Sequence, residues 1–332
     1  MTTRQEYSLH NEKDNKYSRQ IVTGGAGFIG SEYVRSSLAG LLYGGRPEKI
    51  TVLDSLTYAG NLRRLNQTKD HAGFNFIHSD VRDKAVLNSI APLHDAIIHF
   101  AAESHVDRSI ESSEPFILSN VVGTNVILEV ARKFDLRVVV VSTDEVYGSI
   151  ASGFANEESI LNPSSPYSSS KASADLIARA YHITHGLNVS ITRSVNNYGI
   201  FQDPEKFIPK SAQNLSRGNP ITLYGDGLNV RDWVHISDHC DAISRVLHLG
   251  GNGEIYNVGG VESYSNLEVA TMLCNYFGKT SLEVVHTEDR LGHDFRYAVN
   301  ADKIRSLLGW NPTMRLESTI EEIVQRIDYL ND

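Results

Sequence analysis

Short apolar runs alternate with longer amphipathic stretches along the first part of the chain. Runs rich in Val and Ile predict strands that are buried on both faces, and the amphipathic stretches predict helices. The predicted strands are 19–23, 50–53, 74–77, 96–100, 138–141 and 189–192, and the predicted helices are 31–42, 81–90, 115–134 and 166–185. This alternation indicates an α/β fold built on a doubly wound parallel sheet.

The alternation stops after Asn196. Residues 199–230 are rich in Gly, Pro and Asn, and the elements predicted after them are strands at 233–236 and 255–258 and helices at 266–277, 301–308 and 316–330. We predict a large domain of residues 19–195, to which a segment near 231–258 returns, and a smaller lobe made mainly of residues 196–332. Residues 1–18 are polar and charged, which predicts a flexible N-terminal extension.

Composition narrows the class of partner. The chain has 332 residues and a formal net charge of -9, which argues against nucleic acid because its binding proteins usually present a basic face. An anionic small molecule needs only a few well-placed cations or backbone amides and is not excluded. No stretch approaches the roughly 20 apolar residues of a membrane span, and residues 1–18 lack the apolar core of a signal peptide. We therefore predict a cytoplasmic protein without a membrane partner.

The two cysteines predict no special chemistry. Cys240 and Cys274 lie far apart and belong to no Cys-x-x-Cys motif. Neither a disulfide framework nor a zinc site is indicated, and we expect no metal.

A glycine-rich turn joins the first predicted strand to the first predicted helix at Gly24, Gly27 and Gly30. Without side chains the backbone can approach a pyrophosphate, whose charge the N-terminus of the helix faces. Asp54 ends the next strand, where a carboxylate accepts hydrogen bonds from both ribose hydroxyls and repels a 2′-phosphate. The pattern predicts a dinucleotide site that prefers NAD to NADP. The alternative for Asp54 is an acid that only caps a turn.

Two further strand ends border the same edge of the predicted sheet. Asp80 follows the third strand, where it is placed to meet the adenine. Ala101 and Ala102 follow the fourth strand, where small side chains allow close approach of the nicotinamide half; simple tight packing is their alternative.

Tyr167 and Lys171 are four residues apart, so both lie on one face of the predicted helix. A tyrosine has an unperturbed pKa of about 10 and needs a nearby cation to act as a base at neutral pH. Lys171 can supply that cation, which indicates oxidation of a hydroxyl with transfer of a hydride. An exposed aromatic beside a solvated lysine is the alternative.

Asp144 and Glu145 follow a buried apolar strand, where carboxylates are costly unless they do chemistry. Once a hydroxyl has been oxidised to a ketone, the hydrogen on the neighbouring carbon is acidic. Glu145 can remove that proton while Asp144 protonates a departing hydroxyl, which eliminates water, and the hydride then returns to the product. The alternative is a helix-start cap beside an ordinary solvated acid.

Longer motifs surround these residues: TGGAGFIGS, LDSLTYAGN, HFAAESHVDRSI, STDEVYGS, SPYSSSKAS, NNYG, PEKFIP, LYGDGLNVRDWVH and GHDFRYA. With them the chain resembles the extended short-chain dehydrogenase/reductase superfamily and, within it, the dTDP-glucose 4,6-dehydratase family. The resemblance implies a Rossmann-type fold with a smaller C-terminal substrate-binding lobe. It also implies conversion of dTDP-glucose to dTDP-4-keto-6-deoxyglucose, with NAD held and regenerated in each turnover. Related epimerases lack the Thr-Asp-Glu triplet, and decarboxylases and GDP-mannose dehydratases usually carry Ser in place of the Asp.

The resemblance also implies roles for individual residues. Thr143 hydrogen-bonds the sugar 4-hydroxyl, Asp144 is the acid, Glu145 is the base at carbon 5, and Tyr167 is the base of the oxidation step beside Lys171. The implied cofactor residues are Gly24, Gly27, Phe28, Ile29, Gly30, Asp54, Ser55, Leu56, Thr57, Asp80, Val81, Ala101, Ala102, Ser104, Ser119, Tyr167, Lys171 and Asn197. The implied substrate residues are Ser104, His105, Thr143, Asn196, Glu205, Lys206, Phe207, Thr222, Tyr224, Arg231, Asn266, Arg290, His293 and Tyr297.

Other functions remain open at this point. Thr222, where the family commonly has Pro, and Leu291, where the common motif is Arg-Pro-Gly-His, flank the implied base and diphosphate pocket. Thymine differs from uracil by one methyl group, worth only about 1–3 kcal/mol, so a UDP-glucose 4,6-dehydratase is an alternative. An NAD-dependent epimerase or decarboxylase would not need both Asp144 and Glu145. A non-catalytic nucleotide-binding protein would be free to lose the reactive residues, which this chain retains.

The resemblance further implies a homodimer in which helices 115–134 and 166–185 pair with their copies in a four-helix bundle. The first of these helices has more apolar surface than one stripe needs. The residues that provide it are Val121, Val122, Ile127, Leu128 and Val130. The alternative is that this surface is buried within one subunit.

Overall fold

Seven parallel strands form the main sheet of the protein, whose computed structural model describes residues 16–279 and 283–327. The strands are β1 Arg19–Thr23, β2 Lys49–Asp54, β3 Phe74–His78, β4 Ala96–His99, β5 Arg137–Thr143, β6 Val189–Ser194 and β10 Ile255–Val258. Their order is β3-β2-β1-β4-β5-β6-β10. The chain winds outward in both directions from the boundary between β1 and β4, which confirms the predicted doubly wound sheet.

Helices cover both faces of this sheet. Before the smaller lobe they are α1 Phe28–Leu38, α2 Lys84–Ile90, α3 Val106–Glu111, α4 Glu114–Phe116, α5 Thr124–Phe134 and α6 Pro166–His185. Successive strand residues point to opposite faces, so Val22 of β1 belongs to one buried cluster and Ile21 to the other. Burial on both faces explains why these strands are continuous apolar runs.

The predicted helix 115–134 is not uniform. It consists of α4, a π-helical segment Ile117–Gly123 and α5. Within the wide turn, Asn120 Oδ1 accepts from the backbone N of Glu103 at 2.8 Å, and its Nδ2 donates to Glu103 O at 3.0 Å and to Ser170 Oγ at 2.8 Å. The π-helical segment accompanies these tertiary hydrogen bonds. The spacing of apolar residues along the sequence does not predict it.

The smaller lobe contains two small sheets. One has the order β11-β9-β7 and the other pairs β12 with β8. The strands are β7 Asn196–Tyr198, β8 Ile221–Tyr224, β9 Val230–His235, β11 Glu262–Ser265 and β12 Val284–Thr287. The helices of this part of the chain are α7 Phe207–Ser216, α8 Ile236–Leu249, α9 Asn266–Tyr276, α10 Asp302–Leu308 and α11 Leu316–Gln325.

Three features of the smaller lobe differ from the sequence-based expectation. Residues 199–230, for which no helix or strand was predicted, contain α7 and β8. Pro209 is compatible with α7 because it lies in the first turn, where its missing N–H costs nothing. The predicted return near 231–258 also starts later, since β9 stays in the small sheet and β10 joins the large sheet beside β6. The helix predicted at 316–330 ends at Gln325, and residues 328–330 lie outside the described part.

The ordered fold begins earlier than the predicted end of the N-terminal extension at residue 18. Tyr17 is only 8% exposed and belongs to the core cluster on one face of the sheet. Its carbonyl accepts from Gln20 Nε2 at 2.9 Å. Residues 1–15 lie outside the described residues. Within the described ranges, no helix is long and apolar enough to cross a membrane.

One carboxylate fastens the C-terminal segment to α8. Asp238 Oδ2 accepts from the backbone N of Thr313 and of Met314, each at 2.9 Å, and Oδ1 accepts from Thr313 Oγ1 at 3.0 Å. The backbone carbonyl of Asp238 accepts from Trp310 Nε1 at 2.9 Å. Because Trp310 is fully buried, this segment is part of the core.

Removing this carboxylate tests that conclusion. We expect Asp238→Ala to lower the free energy of unfolding by about 2–4 kcal/mol, because it leaves two backbone N–H groups without their acceptor. Urea denaturation followed by circular dichroism measures the change. Asp70→Ala, at an exposed position, is the control and should change stability by less than about 0.5 kcal/mol. Equal effects of the two substitutions would show that the Asp238 contacts add nothing.

Candidate active site

A cavity of about 1090 Å³ lies at the carboxyl edge of the large sheet, against the smaller lobe. Its wall contains residues that follow β1, β2, β4, β5 and β6, together with residues of α7, β8 and β9. Every site residue predicted from the sequence lines this cavity except Leu56 and Asp144. The structure therefore brings the predicted cofactor and substrate residues into one space.

The two exceptions have different causes. Leu56 adopts a left-handed backbone with φ of 50° and packs against the core, so only its backbone N serves the site, by donating to Asp54 Oδ1 at 2.8 Å. Asp144 is 2% exposed and does not form part of the wall. Adjacent residues diverge, and here Glu145 faces the cavity while Asp144 lies behind it, in hydrogen-bond contact with Thr143 Oγ1 at 3.3 Å.

The glycine-rich turn is shaped by close backbone contacts. Gly24 has a φ of +70°, and a Cβ at this position would lie 2.5 Å from the backbone N of Ala101. A Cβ at Gly30 would lie 2.3 Å from the carbonyl oxygen of Gly24. Helix α1 begins directly after Gly27, so its N-terminal N–H groups border the cavity. A pyrophosphate fits this arrangement of small residues and backbone donors.

The ends of β2 and β3 supply the acids predicted for the adenosine half of a cofactor. Asp54 Oδ2 accepts from the backbone N of Ala26 at 2.9 Å, and burial raises its pKa while these backbone hydrogen bonds oppose the rise. Asp80 lines the cavity but is also paired with Arg82, at 2.7 Å between Oδ2 and Nη2. This pair lowers the pKa of Asp80, so the carboxylate stays ionised.

Tyr167 and Lys171 both reach the cavity from α6. Lys171 Nζ donates to the carbonyl oxygen of Val141 at 2.7 Å, and burial lowers its pKa to about 8. That Lys171 favours the phenolate of Tyr167 stays a prediction. Burial raises the pKa of Tyr167, the charge of Glu145 adds to the rise, and a hydrogen bond with the Thr143 side chain opposes it.

The adjacent carboxyls have different surroundings. Burial raises the pKa of Asp144 well above its ordinary value, and the charges of Glu145 and Asp232 raise it further. Burial also raises the pKa of Glu145, but the cations Arg231, Arg290 and Lys206 oppose this rise. The geometry thus favours a protonated Asp144 beside a more readily ionised Glu145.

Three cations of the smaller lobe line the cavity. Arg231 is 5% exposed and donates only to backbone carbonyls, including Asp294 O at 2.8 Å, while its guanidinium lies 4.3 Å from the ring centre of Tyr297. Lys206 Nζ donates to Ser104 O at 2.9 Å. Arg290 has one distant carboxylate, with Nη1 3.5 Å from Asp107 Oδ1. These positive charges are thus available to an anionic ligand.

Two more predicted residues of the cavity wall, Glu205 and His293, form local pairs. Glu205 lies 2.6 Å from Arg108 Nη2 and 3.6 Å from His105 Nε2. His293 Nδ1 lies 2.7 Å from Asp289 Oδ1, and its ring packs edge-on against Tyr224. Burial lowers the pKa of His293, and the hydrogen bond to Asp289 opposes this effect.

Sequence reasoning missed several residues of the cavity wall, among them Arg64 and His239. Arg64 is buried and donates to the carbonyls of Ala26, Ala59 and Phe201, and burial lowers its pKa to about 10. His239 Nδ1 lies 2.7 Å from Asn197 Oδ1, and burial lowers its pKa to about 3. Neither lies in a motif whose spacing has a chemical meaning. Among residues 16–279 and 283–327, no group of three or more His, Cys, Asp or Glu side chains could hold a metal ion.

Comparison with known proteins identifies the family. The family model described as GDP-mannose 4,6 dehydratase matches residues 21–323. The chain belongs to this family. A dTDP-glucose 4,6-dehydratase of Streptomyces niveus is 47% identical over 308 residues, which cover 92% of each chain. The predicted resemblance is therefore confirmed.

Solved structures support the same relationship. The chain is 48% identical to DesIV, a dTDP-glucose 4,6-dehydratase of Streptomyces venezuelae solved with NAD bound, with a TM-score of 0.92 and coverage of 94% and 97% of the two chains. A UDP-glucose 4-epimerase of Thermus thermophilus solved with NAD is 30% identical, with a TM-score of 0.83 and coverage of 93% and 98%. The dehydratase is more similar than this epimerase by both measures.

A methyl group at the glycine-rich turn tests the cofactor site. We expect Gly30→Ala to weaken binding of NAD by about tenfold or more, because the new Cβ displaces the carbonyl of Gly24. Isothermal titration calorimetry with NAD measures the change. Gly27→Ala is the graded comparison, since its Cβ would lie 3.2 Å from the same oxygen, and a smaller loss is expected. A larger loss for Gly27→Ala would contradict this account.

Proposed function

We propose that the protein is a dTDP-glucose 4,6-dehydratase that converts dTDP-glucose to dTDP-4-keto-6-deoxyglucose and water. NAD supplies transient oxidation at carbon 4 of the sugar and the later reduction at carbon 6. The observation that carries the proposal is the pair of unlike carboxyls, Asp144 and Glu145, beside Tyr167 and Lys171. An oxidation followed by an elimination needs both sets of residues.

The acid and the base of the elimination follow from their surroundings. Burial and two neighbouring carboxyls raise the pKa of Asp144, and Arg231 and Thr143 oppose the rise. The net rise favours the protonated form, and we assign Asp144, directly behind the cavity wall, the role of the acid toward the departing hydroxyl. Glu145 lines the cavity near three cations and acts as the base at carbon 5. Thr143 lies between Asp144 and Tyr167, in contact with both, and binds the sugar 4-hydroxyl.

The smaller lobe holds the nucleotide diphosphate. The Arg231 guanidinium donates only to neutral carbonyls in this structure, so its charge is free to bind phosphate oxygens in a forked geometry. Lys206 and Arg290 add positive charge on the same wall. The cofactor residues around Gly24, Gly30 and Asp54 hold NAD on the opposite side of the cavity.

The alternatives are weaker. Epimerases and decarboxylases on this scaffold have no use for two carboxyls with separated pKa values. UDP-glucose stays an alternative substrate because one methyl group separates the bases. The cytoplasmic location and the lack of a nucleic-acid partner stay predictions from composition.

The first experiment tests the reaction. Purified protein is incubated with dTDP-glucose and, separately, with UDP-glucose, and mass spectrometry follows the loss of one water. We expect water loss from dTDP-glucose without accumulation of NADH. Glu145→Gln should slow water loss about 100-fold or more and leave the reduced cofactor visible, because oxidation proceeds without the base at carbon 5. Glu158→Gln, at an exposed acid, is the control. Absence of water loss from either sugar by NAD-loaded protein would reject the dehydratase.

We also infer a homodimer through a four-helix bundle in which residues 115–134, which comprise α4, the π-helical segment and α5, and residues 166–185 of α6 pair with their copies. Leu176 and Ile183 of α6 are 56% and 69% exposed and lie seven residues apart, on one face of the helix. Ile117 and Val122 of the π-helical segment are also exposed. Of the five apolar residues singled out earlier, Ile127, Leu128 and Val130 are buried within the subunit. The supporting surface is therefore mainly that of α6.

Charges on this surface test the dimer. We expect wild-type protein to have the mass of a dimer by light scattering, and Leu176→Glu with Ile183→Glu to have the mass of a monomer, because two buried carboxylates cannot be tolerated in an apolar interface. Leu93→Glu, at a residue 54% exposed outside α5 and α6, is the matched control. A monomeric wild type, or a dimeric double variant, would refute this interface.

A further inference from the structure

A buried ion pair outside the cavity wall links α6 to β6. Arg193 Nε lies 2.9 Å from Asp175 Oδ2, and the two side chains are 4% and 1% exposed. Neither residue lines the cavity. A buried ion pair is often no more stabilising than apolar side chains of the same volume, because both charges lose their hydration. Its presence here calls for a role other than stability.

The carboxylate belongs to the face of α6 that carries the reactive residues. Tyr167, Lys171 and Asp175 follow one another at intervals of four residues, so they occupy successive turns of the same face. Burial lowers the pKa of Lys171, and the charge of Asp175 opposes that effect. The carboxylate thus lies where it favours the cationic form of a lysine whose burial favours the neutral form.

Other elements packed around Lys171 contribute no second negative charge that acts on it. His99 on β4 is its titratable neighbour there, and burial with the charge of Lys171 lowers the pKa of this histidine to about 3, so it is neutral. From β5 the contact is the neutral carbonyl of Val141. From β6, Arg193 is positive and paired with Asp175. Asp175 is therefore the counter-charge of Lys171 in the described part of the chain.

The guanidinium of Arg193 has a second contact on the other side. Its Nη1 donates to Tyr147 Oη at 2.9 Å, and Tyr147 Oη donates to Asn257 Oδ1 of β10 at 2.8 Å. Tyr147 ends the 3-10 turn Asp144–Tyr147, which carries the two carboxyls. One guanidinium thus connects the helix of Tyr167 and Lys171 with that turn.

We propose that Asp175 and Arg193 are positioning residues, of which Asp175 is the buried counter-charge that keeps Lys171 cationic and Arg193 holds the turn of Asp144 and Glu145 against α6. This inference rests on the proposed function. In this account two residues that do not line the cavity hold Tyr167 and Lys171 in a fixed position relative to Asp144 and Glu145.

The test distinguishes an electrostatic effect of the ion pair on Lys171 from a contribution of the pair to folding stability. In Asp175→Asn with Arg193→Met, both charges of the ion pair are removed together, so neither member of the pair is left as an unpaired buried charge, and we expect the protein to fold. Lys171 then lacks its counter-charge. Asp175→Asn with Arg193→Gln removes the same two charges with a different neutral side chain at position 193 and is a second variant should the first not fold, as judged by thermal melting followed by circular dichroism.

The oxidation step is the sensitive readout. In a Glu145→Gln background, elimination is blocked, and the absorbance of the reduced cofactor after mixing with dTDP-glucose reports a step that needs Tyr167 and Lys171. A cationic Lys171 is present below its pKa, and loss of Asp175 lowers that pKa. The alkaline fall in the oxidation rate should therefore move to lower pH by about 1 unit or more. A purely structural ion pair would leave its position unchanged.

Two controls complete the design. Asp241→Asn with Arg245→Met removes an ion pair of α8 that does not line the cavity, and it should leave the pH profile unchanged. Arg193→Lys, with Glu145 intact, keeps a positive charge near Asp175 but loses the hydrogen bond to Tyr147. The alkaline fall of the pH profile should therefore stay at the same pH. The kcat for water loss should fall, with little change in KM. A folded double variant with the wild-type alkaline limb overturns the proposal. Failure of wild-type protein to act on dTDP-glucose overturns instead the function on which it rests.

Discussion

The common direction of the large sheet's strands is the constraint on which the site depends. Because these strands are parallel, their carboxyl ends meet at one edge, and residues distant in sequence meet there. The strand order reverses between β1 and β4, which opens the crevice that the cavity occupies. Backbone hydrogen bonds from Gly24 N to Leu53 O and from Phe100 N to Thr23 O, at 2.9 and 3.0 Å, hold the turns at this point.

Burial then shifts the pKa values of the side chains at this edge of the sheet. Burial raises the pKa of both Asp144 and Glu145, but three cations of the smaller lobe oppose the rise at Glu145 and only Arg231 among them does so at Asp144. This difference is the basis for the proposal that two carboxyls of similar intrinsic acidity act as an acid and a base. The same burial lowers the pKa of Lys171, which makes the nearby Asp175 carboxylate relevant to its charge.

The cations that face these carboxyls belong to separate parts of the chain. Arg231 lies on β9, Lys206 directly precedes α7, and Arg290 follows β12. Their partners are mostly backbone carbonyls, which orient a cation without neutralising it. An overall charge of -9 is therefore compatible with a pocket that binds a diphosphate, because the field in a cleft depends on its lining.

The sequence by itself determined the order of strands and helices in the large domain, the glycine-rich turn, and the spacing of Tyr167 and Lys171. These features depend on local periodicity and on backbone conformation, which neighbouring residues control. Only the tertiary structure decided that Asp144 lies behind the cavity wall, that Arg64 and His239 reach it, and that residues 199–230 contain a helix and a strand. Those outcomes depend on contacts between distant segments and on the exclusion of water by the assembled fold, which no short stretch of sequence encodes.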